Sequence, residues 1–514
     1  MDASTWWSWV EALCSRWRPY LILFIFGAIL RGIPEILVAK YPVGFDTNAY
    51  YPAHIAFLEK MDPVEVFKTA PLFYTIMWVA GEVTGVDVYL LLKIAGPVLY
   101  GFLGASFFFF LSSGVGLDQK ASLLGCFTCM VQIVTLRLSW DLFRNELGLI
   151  LFFLAVGVLW KNIKYRRVLF AFLGIAVVLA HPVAATMFFA VVGWLSLEEI
   201  SSGKIKRFLV PAVPAGILFT IIVLVTFWLP SQPDPRIVSI GPEKPPLLMS
   251  YLESDPRFVE GTYLTILLFI GGLFLFAYGH LLPFVLRGVA RNRVIDPLTG
   301  LLGFCSFSIL AAPWFAVPIT YWRWIILLIF PFTFYVVRGF EKWGLTGKHW
   351  RVLVLICLAL STVAVTYVSG TLPMRATLSY VKESGSTGGE SMWSLAQSVN
   401  TYIPETLVQS SIGIGNVTGQ IDDAVACLRW LNSDAGSNSV LLVEERFTSL
   451  ALIHARRDIK IVLYGVYCPI RDVLKALTPH RFSEVYLVWY SHAKLAGFSH
   501  VHTEGAIAIH RYSG

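Results

Sequence analysis

Runs of about 20 apolar residues recur along this chain, and that is the length a helix needs to cross the hydrocarbon core of a bilayer. They fall at 19–38, 88–111, 120–137, 146–160, 167–181, 182–197, 208–229, 261–286, 297–313, 322–338 and 351–370, which predicts about eleven spans. The 167–197 stretch is divided at His181-Pro182, because proline disfavours a helical conformation in the residue before it. Of 514 residues, 56% are hydrophobic and 14% charged, where soluble proteins carry about 25% charged residues. These figures exclude a disordered chain, a disulfide scaffold and an ordinary cytosolic enzyme. Cys126-x-x-Cys129 lies inside an apolar run and reads as helix packing.

Basic residues fix the orientation, since cytoplasmic loops carry the excess of Lys and Arg. With the N-terminus in the cytoplasm, the segments 1–18, 112–120, 161–167, 197–207, 287–296 and 338–350 are inside and hold sixteen Lys and Arg. The outside segments between them are longer in total and hold nine. An odd number of spans then puts the C-terminus outside. The net charge of +7 comes from these interhelical clusters and is no nucleic-acid signal. Arg16-Trp17-Arg18 precede a long apolar run without the small-residue cleavage site of a signal peptide, so the first helix is expected to stay. The layout suits the plasma membrane of a prokaryote, or an ER lumen on the outer side.

Two outside loops are long. The first, 39–87, is acidic and aromatic, and its apolar stretch 71–80 is too short to cross, so it is predicted to lie in the interface. The second, 230–260, is stiffened by PSQPDP and GPEKPP. From about 371 the composition changes. A Ser-, Gly- and Thr-rich linker to 420 contains the sequon Asn416-Val417-Thr418, and strand-like runs VLLV, IKIVLY and EVYLVWY then alternate with helical patterns. The expected architecture is a polytopic α-helical membrane domain over 1–370, a linker over 371–420, and a small extracytoplasmic α/β domain over 421–514.

Topology gathers an unusual polar set at the outward ends of the spans, at headgroup depth, where ionisable residues are costly and point to function. Asp46 sits in GFDTNAYYPA with Tyr50 beside it; a carboxylate there serves as a general base toward a hydroxyl, as a cation ligand, or as the N-cap of a helix over 47–60. Whether a divalent cation takes part is left open. In RLSWDLFRNE, Arg137, Asp141 and Arg144 share a helical face if that end stays helical, and such arginines bind phosphate oxygens or pair with Asp141. Asn145 and Glu146 open the next span. His181 is a turn residue or a participant in chemistry. Arg323, with Tyr321 before it and Trp322 and Trp324 on either side, is an aromatic-belt anchor or a further phosphate ligand. His500 and His502, alternating on one strand, are too few for a metal site and read as surface or packing residues.

One span, a long acidic first outside loop with an early Asp in a G-F-D-x-x-x-Y context, many further spans and an outer C-terminal domain resemble the GT-C-type membrane glycosyltransferases. That group includes protein O-mannosyltransferases, the aminoarabinose transferases of lipid A and archaeal enzymes of similar layout; RNELG (144–148) and the HP pair (181–182) are similar to the archaeal members. The resemblance covers residues 1–370. It implies a polyprenyl-phosphate sugar donor, an acceptor hydroxyl on a glycan, lipid or protein, membrane lipids as partners, and Asp46 as the first-loop catalytic aspartate, acting as base or helping to hold a metal. Thr47 replaces the acidic residue that follows this aspartate in some subfamilies. No WWDYG-like motif occurs in the C-terminal part, which argues against an oligosaccharyltransferase.

The expected reaction is inverting hexosyl or pentosyl transfer at the outer membrane face, with Arg137, Arg144 or Arg323 on the donor phosphate and Tyr50, Asp141, Asn145, Glu146, His181 and Tyr321 lining the pocket. The alternative is a transporter or flippase of a lipid-linked or small polar substrate. It calls for paired broken helices and internal repeats, and neither is visible in the sequence.

Overall fold

A computed structural model of the chain describes residues 3–37, 40–44, 46–200, 205–229, 236–237, 263–311, 321–345, 349, 352, 356, 420–444, 447–464, 470–477, 482–491, 495 and 497–513. The side chains of Asp141 and Tyr321, the segment 351–370 apart from Val352 and Ile356, the linker with its sequon, and Cys468 lie outside what is described.

A helix stands at every other expected span. They are α1 (Ala3–Leu37), α6 (Val88–Phe109), α7 (Gln119–Met130) with α8 (Ile133–Asp141), α9 (Phe143–Leu159), α10 (Arg166–Ala180), α11 (Pro182–Glu198), α12 (Lys206–Trp228), α13 (Tyr263–Tyr278) with α14 (Leu282–Gly288), α15 (Ile295–Ala311), and α16 (Tyr321–Leu327) with α17 (Ile329–Lys342). The first loop folds into α2 (Asp46–Ala49), α3 (Tyr51–Ala56), α4 (Pro63–Lys68) and α5 (Leu72–Thr84). At 13 residues, α5 is too short to cross a bilayer. Among the described residues four helices are long and apolar enough to cross alone, or six if each bent pair counts as one span. The chain is an integral membrane protein.

Two helix pairs are bent sharply, α7–α8 by 66° and α13–α14 by 82°. A break inside an apolar bundle frees backbone groups that must find partners, since no water is there to take them. Here the partners are side chains. The Tyr100 hydroxyl donates to the Met130 carbonyl, and Gln132 Nε2 donates to the Thr128 carbonyl at 3.0 Å. Gln132 Oε1 in turn accepts from His280 Nε2 at 2.8 Å, so the two bends meet. The Tyr278 hydroxyl serves the joint between α16 and α17, reaching the carbonyls of Ile325 and Ile326 at 2.5 and 2.9 Å. Nearby, α14 and α17 approach so closely that a Cβ on Gly288 or Gly339 would overlap the opposing carbonyl oxygen of Tyr335 or Phe284. Close backbone approach of this kind is what small residues permit between helices in lipid.

Beyond the bundle, β1 (Ser439–Glu444), β2 (Lys460–Tyr464), β3 (Glu484–Tyr490), β4 (Phe498–Glu504) and β5 (Ile507–Tyr512) form one sheet in the order β2-β1-β3-β5-β4. Strands β1–β3 are mutually parallel, β5 adds antiparallel to β3, and β4 pairs antiparallel with β5. The run of apolar residues in β1, buried on both faces, is what a central parallel strand requires. On one face the sheet packs with α18 (Gln420–Asp434) and α19 (Thr448–His454), and on the other with α20 (Ile470–Leu477). The first of these layers also takes in Tyr41 and Ala53 of the first loop and Tyr89 at the start of α6. The Tyr41 hydroxyl donates to Asp422 Oδ1 (3.3 Å) and the Ala53 N–H to Ser449 Oγ (3.4 Å). From the second long loop, Arg236 donates to the Leu452 carbonyl. A bulge between His500 and His502 separates the two rings: His500 stacks on His510 and His502 on Trp430, so both pack.

Candidate active site

The segment that carries Asp46 is held from both sides. Gly44 has φ +119°, a backbone region that side-chain-bearing residues rarely enter, and it turns the chain into α2. Thr47 Oγ1 donates to the carbonyls of Val43 and Gly44, and Asn48 Nδ2 to those of Pro42 and Gly44, all within 2.9 Å. From the membrane side, Glu35 accepts the Val43 N–H at 3.1 Å. Glu35 is paired in turn with Arg31, one turn earlier on α1, at 2.6 Å with both side chains buried. Arg31 Nε donates to the Ser139 carbonyl of α8. A buried ion pair inside α1 thus ties the Asp46 loop to α8.

Just beyond α8 the helix breaks at Leu142, whose φ and ψ are −102° and 44°. The spacing that predicts one face for Arg137 and Arg144 therefore fails: Arg137 ends up buried on α8, away from the cavity, while Arg144 opens α9. The Arg144 guanidinium lies over the Tyr74 ring, 5.1 Å from its centre, and donates to the Tyr74 hydroxyl and the Thr69 carbonyl. Asn145 follows it with a buried Nδ2 that has no partner among the described residues. Glu146 turns inward instead. It is fully buried, does not line the cavity, and Arg31 is the cation that acts on it.

His181 Nδ1 accepts the Val183 N–H at 3.2 Å, so the ring caps α11 at the proline break. His54, on α3, lies flat against Tyr74 at 5.1 Å and its Nδ1 contacts the Tyr50 carbonyl at 2.9 Å. Burial, and next Arg144, push the His54 ring down to about 4 against a weaker pull from Glu65, leaving it neutral at pH 7.

These side chains line one cavity of about 230 Å³, walled by Asp46, Tyr50, Tyr51, His54, Tyr74, Leu142, Arg144, Asn145, His181 and Arg323. Six of them are legible in the sequence. Tyr51 is read only as a neighbouring ring in GFDTNAYYPA, and His54, Tyr74 and Leu142 are not singled out, although the aromatic density of the first loop is a signal that points to Tyr74. Among the described residues that line the cavity, Asp46 is the one carboxylate and Arg144 and Arg323 are the two cations. Among the described residues no group of three or more His, Cys, Asp and Glu is placed to hold a metal. The arrangement suits a neutral polyhydroxylated group flanked by an anion: arginines for the anion, aromatic faces and neutral imidazoles for the rest, and one base.

No family model matches the chain, and no curated protein matches it in sequence. Among solved structures it is similar to the arabinofuranosyltransferase AftD from Mycobacteria, at 12% identity and a TM-score of 0.51 over 97% of this chain. The chain spans about 40% of the length of that protein. ArnT from Cupriavidus metallidurans, in a crystal structure bound to undecaprenyl phosphate, aligns over 96% of this chain and 98% of its own at 11% identity and a TM-score of 0.49. The likeness to AftD, at this identity, is one of fold.

Proposed function

We propose that this protein is a glycosyltransferase that moves one sugar from a polyprenyl-phosphate donor to a hydroxyl acceptor at the outer membrane face, with inversion. The observation that carries the reading is the cavity itself. Four segments remote in sequence, at Asp46, Tyr74, Arg144 and Arg323, bring one carboxylate, two guanidiniums and an aromatic wall to the same 230 Å³. The fold shared with an arabinofuranosyltransferase supports it.

In this mechanism the donor phosphate lies against Arg144 and Arg323. Negative charge grows on the leaving phosphate as the glycosidic bond breaks, so guanidiniums fixed there favour the transition state over the ground state. Asp46 accepts the acceptor's proton while its oxygen attacks the opposite face of the sugar. Arg137, buried on α8, takes no part in phosphate binding. The membrane domain of about eleven crossings over 1–370, with the sheet domain of 421–514 on the extracytoplasmic side, is part of the same proposal.

Asp46→Asn is expected to lower transfer of radiolabelled sugar from polyprenyl-phosphate donors by about two to four orders of magnitude with the protein folded. Full transfer by the variant would remove Asp46 from its role.

The bent helix pairs are the one observation that favours the transporter alternative, whose sites are built at broken helices. At the α7–α8 bend, however, the Thr128 and Met130 carbonyls are occupied by Gln132 and Tyr100, so these groups are not offered to a substrate. Movement of a fluorescent polyprenyl-phosphate sugar across proteoliposome membranes, without transfer, would reverse this preference.

A further inference from the structure

The two histidines on the cavity wall have complementary hydrogen-bonding states, and geometry sets both. The Tyr50 carbonyl can only accept, so the contact with His54 Nδ1 places the proton on Nδ1 and leaves the lone pair on Nε2. The Val183 N–H can only donate, so His181 Nδ1 carries the lone pair and its proton sits on Nε2. Among the described residues no hydrogen bond occupies Nε2 of either ring. The same cavity is therefore walled by one neutral acceptor and one neutral donor, each locked in its tautomer by the backbone.

We infer that His54 and His181 form a specificity pair that reads the hydroxyl pattern of the sugar, His54 accepting from one hydroxyl through Nε2 and His181 donating to another through Nε2–H. The inference rests on the proposed transfer reaction and deepens it. Sugar hydroxyls both donate and accept, and a matched donor and acceptor at fixed positions select where they stand on the ring, whereas the arginines bind any phosphate. A site built to hydrogen-bond a hydroxyl rejects an analogue lacking it far better than an apolar pocket rejects an added group. The Tyr74 ring stacked on His54 fixes the plane in which the acceptor points. The cavity, below the roughly 300–1,000 Å³ of sites for drug-sized ligands, suits a single ring.

The test is direct binding to the purified full-length protein of bare polyprenyl phosphate, polyprenyl-phosphate pentose and hexose, and their monodeoxy analogues. Three variants accompany it. His54→Asn keeps an amide near the Nδ1 position and deletes the acceptor, His54→Gln restores a polar atom near Nε2, and His181→Asn keeps a favourable N-cap for α11 while removing the ring N–H. The native protein is expected to bind an intact sugar at least about tenfold more tightly than the analogue lacking a read hydroxyl. His54→Asn and His181→Asn should each abolish the preference at one ring position, a different one for each, with affinity for bare polyprenyl phosphate unchanged and His54→Gln retaining the preference. Discrimination that survives in both Asn variants, or a native protein that binds the bare lipid without distinguishing sugars, would overturn the inference and leave the functional reading standing. Failure of the native protein to bind bare polyprenyl phosphate at all would bring down the functional reading and the inference with it.

Discussion

Arg31 and Glu35 lie in the outer half of the first apolar run, buried in the bundle, where each charge alone would be expensive. Paired at 2.6 Å and almost wholly buried, they make α1 a carrier of the Asp46 loop through Val43 and of α8 through Ser139. Breaking a buried pair by removing one partner leaves an uncompensated charge, at a cost of about 3–5 kcal/mol. Arg31→Met is accordingly expected to lower the melting temperature in detergent strongly, and an unchanged melting curve would show that the pair carries no stability. Neither residue stood out in the sequence, because an Arg and a Glu one helical turn apart look the same whether they snorkel outward or hold a loop. Asp46, Arg144, His181 and Arg323 were legible because they punctuate the outer ends of apolar runs. His54 offers a second test at this scale. Its folded-state value of about 4 lies below the ordinary 6.5, so the unfolded chain binds the extra proton first as pH falls. Stability then drops between pH 6.5 and 4, by up to about 3 kcal/mol. Melting measured across that window should flatten in His54→Asn, and a slope that persists unchanged would assign it to other groups.

At the level of elements, apolar length located the helices and failed to show where they bend. The break at Leu142 decides which arginine enters the cavity, yet nothing in RLSWDLFRNE marks it: no proline or glycine stands there, and the helix ends because tertiary packing turns α9 against α6 and α10. The α7–α8 and α13–α14 bends are equally silent locally, since what stabilises them is the meeting of Gln132 with His280, 148 residues apart. The approach of α14 to α17 is also invisible in a sequence where glycines are common. It predicts that Gly288→Leu, placed against the Tyr335 carbonyl, separates the two helices. Folded yield by size-exclusion chromatography should fall severely, whereas Gly300→Leu, with nothing within 4 Å of its Cβ position, should be tolerated.

Across the whole molecule, the strand pattern of the C-terminal part was readable from its apolar runs, but its contact with the first loop was not, because no local signal links residues so far apart. The proposed topology puts both on the extracytoplasmic side. Single cysteines introduced at Asp62 and at Ser513 should then react with a membrane-impermeant maleimide in intact right-side-out vesicles, and one introduced at Lys120 should react only after permeabilisation. Labelling of the Lys120 position in intact vesicles would invert the arrangement.

The bonds from Tyr41 to Asp422 and from Ala53 to Ser449 join residues 381 and 396 positions apart. During synthesis the first loop emerges hundreds of residues before Asp422 and Ser449, so the two bonds that seat it on the sheet domain form only after the bundle between them has been made. A ribosome stalled anywhere in the bundle leaves behind an inserted protein whose Asp46 segment lacks its outer support.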